Sequence, residues 1–272
     1  MPKGITSTEG LIRVVFKLDR PDDRVLFYRG HSRQDTYKLE PSLFRTEALL
    51  QAEPVMFREL LVSNPGDFRD DKTTLDRLVR MQHHSLPTRL LDLTSNPLIA
   101  LYFACKGLHP ERGAVIVLSV LKERIKFFDS DTASIIANLA RLSQADKEEL
   151  DLALDVAAFN ESQPVQKLLH FIREEKPNFL QEIDPADVGR IVAVKTKRSN
   201  RRIVSQSGAF LLFGHDTALG EDGNDDVSVA TISVNPHEKE KILRELDELN
   251  INESTVFPYL ENSAKYVATK YS

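Results

Sequence analysis

The chain has 272 residues, of which 41% are hydrophobic and 28% charged, with a formal net charge of −5. That is enough apolar material for a sizeable core, and the acidic balance excludes a protein that attracts polyanions over its whole surface. The single cysteine, Cys105, excludes a disulfide framework and a cysteine-based zinc site.

The N-terminal MPKGITSTEG carries no apolar signal segment, and the longest apolar stretch, PLIALYFAC, is too short to cross a bilayer. A soluble, cytoplasmic chain without membrane contact is therefore expected. Ser7 to Leu18 sets Leu11, Ile12, Val15 and Phe16 at helical spacing. RVLFYRG (24–30) follows as a strand rich in branched and aromatic residues. Its Gly30 lets the backbone turn or come close to something. Arg29, between these signals, presents a rigid donor fork that cannot be deprotonated. It either pairs with a buried carboxylate or waits for an anionic ligand.

KLEPSLFR (38–45) reads as a fixed loop, and Glu47 to Leu61 as a helix broken by SNPGDFRDD. Thr73 or Thr74 caps the next helix, which carries Leu75, Leu78, Val79 and Met81. HHSLPTRLLDLTSNP (83–97), with two prolines, reads as a loop. Asn96-Pro97 then starts the helix LIALYFACKG, which ends at Gly107. GAVIVLSV (113–120) is a continuous apolar run, expected as a central strand. Residues 121–187 give helical patterns only, so they are expected as a helical insertion in one domain spanning 1–272. Strand signals resume at GRIVAVKT (189–196), GAFLLFG (208–214) and VSVATISV (227–234), and PHEKEKILRELDELN is the final helix. The non-alternating order points to an α+β fold.

The densest group of polar residues is His83, His84, Thr88, Arg89, Asp92, Thr94 and Ser95. Side-chain capping of the following helix accounts for Thr94 and Ser95 as well as a ligand does. His84 is the histidine expected to face a cleft. No HxxxH or HExxH spacing occurs, so no metal is expected, and no GxSxG, GxGxxG or GxxxxGK[ST] is present. The run containing Lys195, Lys197, Arg198, Arg201 and Arg202 reads first as a solvated face. It is also the one stretch that can draw a nucleic acid to an acidic chain.

FYRGH, LEPSLFR, MQHHSLPTRLLDLTSNPLIALYFA, GAVIVLS, SQSGAFLLF and TVFPYLE together resemble the FRG domain family, named for its Phe/Tyr-Arg-Gly motif. The resemblance runs from about residue 20 to 262, apart from 121–187. Members of this family resemble bacterial toxins and phage-defence components, and their motif order is similar to that of ADP-ribosyltransferases. The resemblance implies a mixed, mostly antiparallel sheet of ADP-ribosyltransferase-like type with flanking helices. It implies NAD as a substrate, a macromolecular acceptor (RNA slightly favoured over protein) and a neutralising antitoxin.

By position, Arg29 matches the arginine or histidine that ends the first core strand of those enzymes. Thr94 and Ser95 match the polar element that follows, and Gln206 matches the later glutamate or glutamine, although no Glu-x-Glu occurs near 206. Tyr28 or Phe210 is then expected to stack on nicotinamide, with Gly30, Thr88, Arg89 and Gly208 completing the NAD site. His84 or Asp92 is the expected base toward the acceptor. A non-catalytic binding module and an NAD glycohydrolase are the alternatives.

Overall fold

A computed structural model describes residues 4–107, 110–197, 204–215 and 217–271. The alternation expected in RVLFYRG is realised in β1 (Arg24–His31). Leu26 and Tyr28 pack on one face of the strand, and Phe27 on the other, the face that also carries Arg29 and His31. β1 pairs along its whole length with β3 (Gly113–Leu121), from Arg24↔Leu121 to His31↔Ala114. On its other edge it meets β2 (Leu90–Thr94) at Tyr28↔Thr94 alone.

With β4 (Ile125–Phe127), β5 (Ile191–Lys195), β6 (Gly208–Phe213) and β7 (Val227–Val234), these strands form one seven-stranded sheet in the order β4-β5-β6-β2-β1-β3-β7. Every pairing is antiparallel except β4 with β5. The sheet curls, because Phe27, Leu91, Leu93, Leu118, Leu211 and Phe213, from four strands, converge in one buried cluster.

Helices cover the outer faces. α1 (Thr8–Phe16) and α4 (Pro97–Cys105) pack on the β1–β3 half, joined later in the chain by α10 (Lys239–Glu248). α4 is apolar on all sides and buries six of its nine residues. Each fully buried Leu or Ile there contributes roughly 1.5–3 kcal/mol.

α2 (Glu47–Ser63), α3 (Thr74–His83), α5 (Asp131–Asn138), α6 (Gln144–Glu148), α7 (Val156–Glu161), α8 (Gln163–Glu175) and α9 (Pro185–Val188) lie over the β2–β6–β5 half. Their core is continuous with Leu90, Val192 and Leu212 of the sheet. The helical stretch is thus packed into the same core as α3 and β6. It also contains a strand, β4, that its sequence does not announce.

Two further differences from expectation concern 83–97 and the C-terminal residues. Residues 90–94 are not loop but β2. The strand is buried on both faces, so its leucines do not alternate with polar residues. After α10, α11 (Glu253–Val256) and α12 (Leu260–Lys270) follow. α11 is set by an Asn252 capping box, whereas α12 buries none of its residues.

Candidate functional site

Arg29 leaves the sheet on the curled, inner face. Its Nη1 donates to the Asp92 carbonyl at 2.7 Å, beside the point where β1 and β2 cease to pair. Its Nε donates to His31 Nε2 at 3.2 Å. An arginine only donates, so His31 must accept on Nε2 and carry its proton on Nδ1. The imidazole is buried, and burial, then the charges of Arg29 and Arg45, push its pKa from 6.5 down to about 3. His31 is therefore a neutral imidazole at physiological pH. Burial also works against the Arg29 charge, with Asp92 opposing that effect. Among the described residues Arg29 forms no ion pair with a carboxylate.

His31 opens onto a cavity of about 900 Å³. The loops 34–44 and 217–221 wall it, and Ile116, Val229 and Thr231 form its floor. Tyr37 stands edge-on to His31 with ring centroids 5.6 Å apart, and Phe44, Lys38 and Glu40 line the same space. Sequence reasoning missed these residues. The available signal was the two-residue period of β1, which puts positions 29 and 31 on one face.

That same period separates Tyr28 from Arg29. Tyr28 packs on the outer face among α1 and α4 residues, so it cannot stack on a ligand held by Arg29. Gly30 also faces α4. A Cβ on it would lie 2.1 Å from the Ala100 carbonyl oxygen and 2.6 Å from Phe103 Cβ. Its role is the close approach of α4 to the strand, not of a ligand.

A second group gathers around β2. Asp92 accepts from Gln82 Nε2 at 2.8 Å, and Thr88 Oγ1 donates to Gln82 Oε1 at 2.8 Å. Thr94 Oγ1 donates to the Gln206 carbonyl at 2.6 Å and accepts from the Asn96 N–H, and Ser95 Oγ donates to the Ser207 carbonyl. Gln206 Nε2 donates to the Val256 carbonyl at 3.1 Å, and His83 is hydrogen-bonded to the Tyr259 hydroxyl.

The segment around α11 thus closes over this group. The space left among Asp92, His83, Gln206, Gly208 and Phe210 is about 20 Å³, room for one water and not for a nucleotide. Here His83 lines the cavity, while the exposed His84 caps α3. The sequence assignment of the cleft-facing histidine to His84 is corrected accordingly.

Arg89 is removed from the NAD-binding candidates by its burial at 2% exposure. It forms a two-pronged pair with Glu53, at 2.8 and 2.5 Å, and donates to the Phe213 carbonyl, while Lys147 meets Glu53 at 2.6 Å. Burial pushes the Glu53 carboxyl up, but the two cations outweigh it and hold it below the usual carboxylate range. This triad fastens α2 and α6 to the end of β2.

Of the basic run, Lys197 pairs with Asp76 at 3.0 Å and Lys195 lies over the Phe127 ring. Arg198, Arg201 and Arg202 lie outside the described residues. No group of three or more potential metal ligands occurs among the described residues, and no described helix is long and apolar enough to cross a membrane.

The fold and site thus define an α+β protein with a curled, mostly antiparallel sheet and a large cavity lined by a histidine that an arginine holds from behind. The FRG domain family model matches residues 24–112, from the start of β1 to the residue before β3, so this stretch of the chain carries an FRG domain match. The match holds FYRG, LEPSLFR and the long central motif, and ends before SQSGAFLLF and TVFPYLE. No curated protein and no solved structure matches the chain.

Proposed function

We propose that this chain is an NAD-dependent ADP-ribosyltransferase of toxin type that holds NAD in the cavity beside Arg29 and His31. The observation that carries this reading is a cavity of about 900 Å³ lined by His31, whose imidazole accepts from Arg29, an arginine with no ion pair to a carboxylate among the described residues. That volume falls in the range of cofactor sites. The guanidinium is the fork for pyrophosphate oxygens. The His31 Nδ1–H is a donor toward a ribose hydroxyl or the carboxamide, and Tyr37 or Phe44 is the plate for nicotinamide.

In the reaction the acceptor's lone pair bonds to C1′ of the nicotinamide ribose. The C1′–N bond breaks, nicotinamide leaves neutral, and the acceptor loses a proton. The transition state is oxocarbenium-like, so a nearby carboxylate stabilises it. Glu40, half-buried at the cavity, takes that part in our reading in place of Gln206. The ADP-ribosyltransferase-like architecture belongs to this proposal as well. So do the macromolecular acceptor (RNA, from the basic run), the role in phage defence, the neutralising protein partner and a cytoplasmic site of action.

The covering of Gln206 by Val256 favours a second reading, a binding module without catalysis. Labelled NAD incubated with the protein, with and without RNA or cell extract, separates the two. Label on a macromolecule, lost in Arg29→Ala while the variant stays folded, supports the transferase. Free nicotinamide without transferred label supports NAD hydrolysis. Binding without turnover supports the module. Unfolding of Arg29→Ala would make Arg29 structural and sink the site.

A further inference from the structure

The outer face of β1 carries a second cavity, of about 550 Å³, between α1 and the first turn of α4. Tyr28 lines it and is only 4% exposed. Its hydroxyl has no hydrogen-bond partner among the described residues. The ring is buried but the hydroxyl itself is not sealed in, so the donor stands open to whatever enters the cavity. Burial raises the Tyr28 pKa despite the nearby Arg20 charge, so the group remains a neutral donor.

Arg20 and Arg24 stand at the same cavity. Arg20 donates to the Val15 carbonyl and Arg24 to the Ser119 and Asp225 carbonyls, and neither pairs with a carboxylate among the described residues. The α4 N-terminus, with Asn96 and Pro97, adds the positive end of a helix dipole. Apart from Ser95 the remaining wall is apolar, and Phe16 stands 76% exposed at the rim with the Arg20 guanidinium over its ring at 5.9 Å.

We infer that this cavity binds an aromatic phosphate monoester of nucleoside-monophosphate type, with the phosphate at Arg20 and the Tyr28 hydroxyl and the ring against Phe16. A phosphate is favoured over a carboxylate because its three terminal oxygens use the two guanidinium groups, the phenol and the helix end together. The site is separate from the Arg29 cavity, since consecutive strand residues face opposite sides of the sheet.

AMP titrated calorimetrically into the protein tests this, with inorganic phosphate as the fragment control. Saturable AMP binding is expected, weakened about tenfold or more in Arg20→Gln and several-fold in Tyr28→Phe. Arg20 is exposed and Tyr28→Phe removes one atom, so both variants keep the fold. Arg29→Ala should bind AMP as wild type does, whatever becomes of its NAD activity. No AMP binding to wild type, or equal binding by Arg20→Gln, overturns the inference. Inorganic phosphate binding as tightly as AMP overturns its aromatic half.

Discussion

Acidification from about pH 7 to about pH 5 should cost the protein stability through one side chain in particular, His31. Its folded pKa is about 3, against an ordinary value of 6.5. As the pH falls through the ordinary value the unfolded chain takes up a proton and the folded protein does not. The stability contributed by the neutral imidazole is therefore fully present above pH 6.5 and is lost below it. The loss runs at about 1.4 kcal/mol per pH unit, which gives about 2 kcal/mol by roughly pH 5.

His31→Gln keeps an acceptor for Arg29 and removes the titration. Urea unfolding of both proteins across this range cancels every other group that titrates. The stability difference between wild type and variant should shrink by about 2 kcal/mol between the two ends. Parallel pH profiles, or an imidazole NMR titration centred near its ordinary value, would refute the geometry of the Arg29–His31 bond. An anion bound at Arg29 offsets the charge that suppresses protonation. Pyrophosphate should therefore move the His31 titration upward.

Three further predictions concern packing and the corrected site. Glu53→Gln leaves Arg89 and Lys147 buried without their carboxylate and should cost about 3–5 kcal/mol in urea unfolding; a loss below about 1 kcal/mol would show that water reaches the triad. Gly30→Ala forces a methyl against a backbone oxygen of α4 and should destabilise by at least about 3 kcal/mol, measured as a lower Tm with NAD absent. Gln206→Ala should lose about 1–2 kcal/mol with the Val256 bond and leave NAD binding unchanged. If NAD binding disappears while stability holds, Gln206 belongs to the ligand site after all.

The sequence was most informative where one face of a strand is buried and the other differs. β1 and β7 begin where residues 24 and 227 announce them, Thr73 is the one of the two expected threonines that caps α3, and the Asn96-Pro97 start of α4 is seen as expected. β2 was hidden because a strand buried on both faces and carrying Asp92 looks like a polar loop between prolines. The site was legible in part. Arg29 stands on the strand face behind the cavity, but the residue that lines it, His31, lies two residues on, and Tyr37 and Phe44 sit in a loop whose conformation no periodicity encodes. Gln206 was misread for a different reason. Nothing local in SQSG indicates that residue 256, far along the chain, supplies its hydrogen bond.

The order of strands has a consequence for how the protein is made. β1 and β3 can pair soon after leaving the ribosome, but β2 gains its second neighbour only when β6 arrives, with Leu90 set against Leu212. The bonds from Val256 and Tyr259 close later still. A nascent chain stalled before Gly208 would present a bare β2 edge and an open polar cleft together. Such a fragment is a substrate for chaperones or aggregation, and synthesis itself delays assembly of the fold to its final stretch.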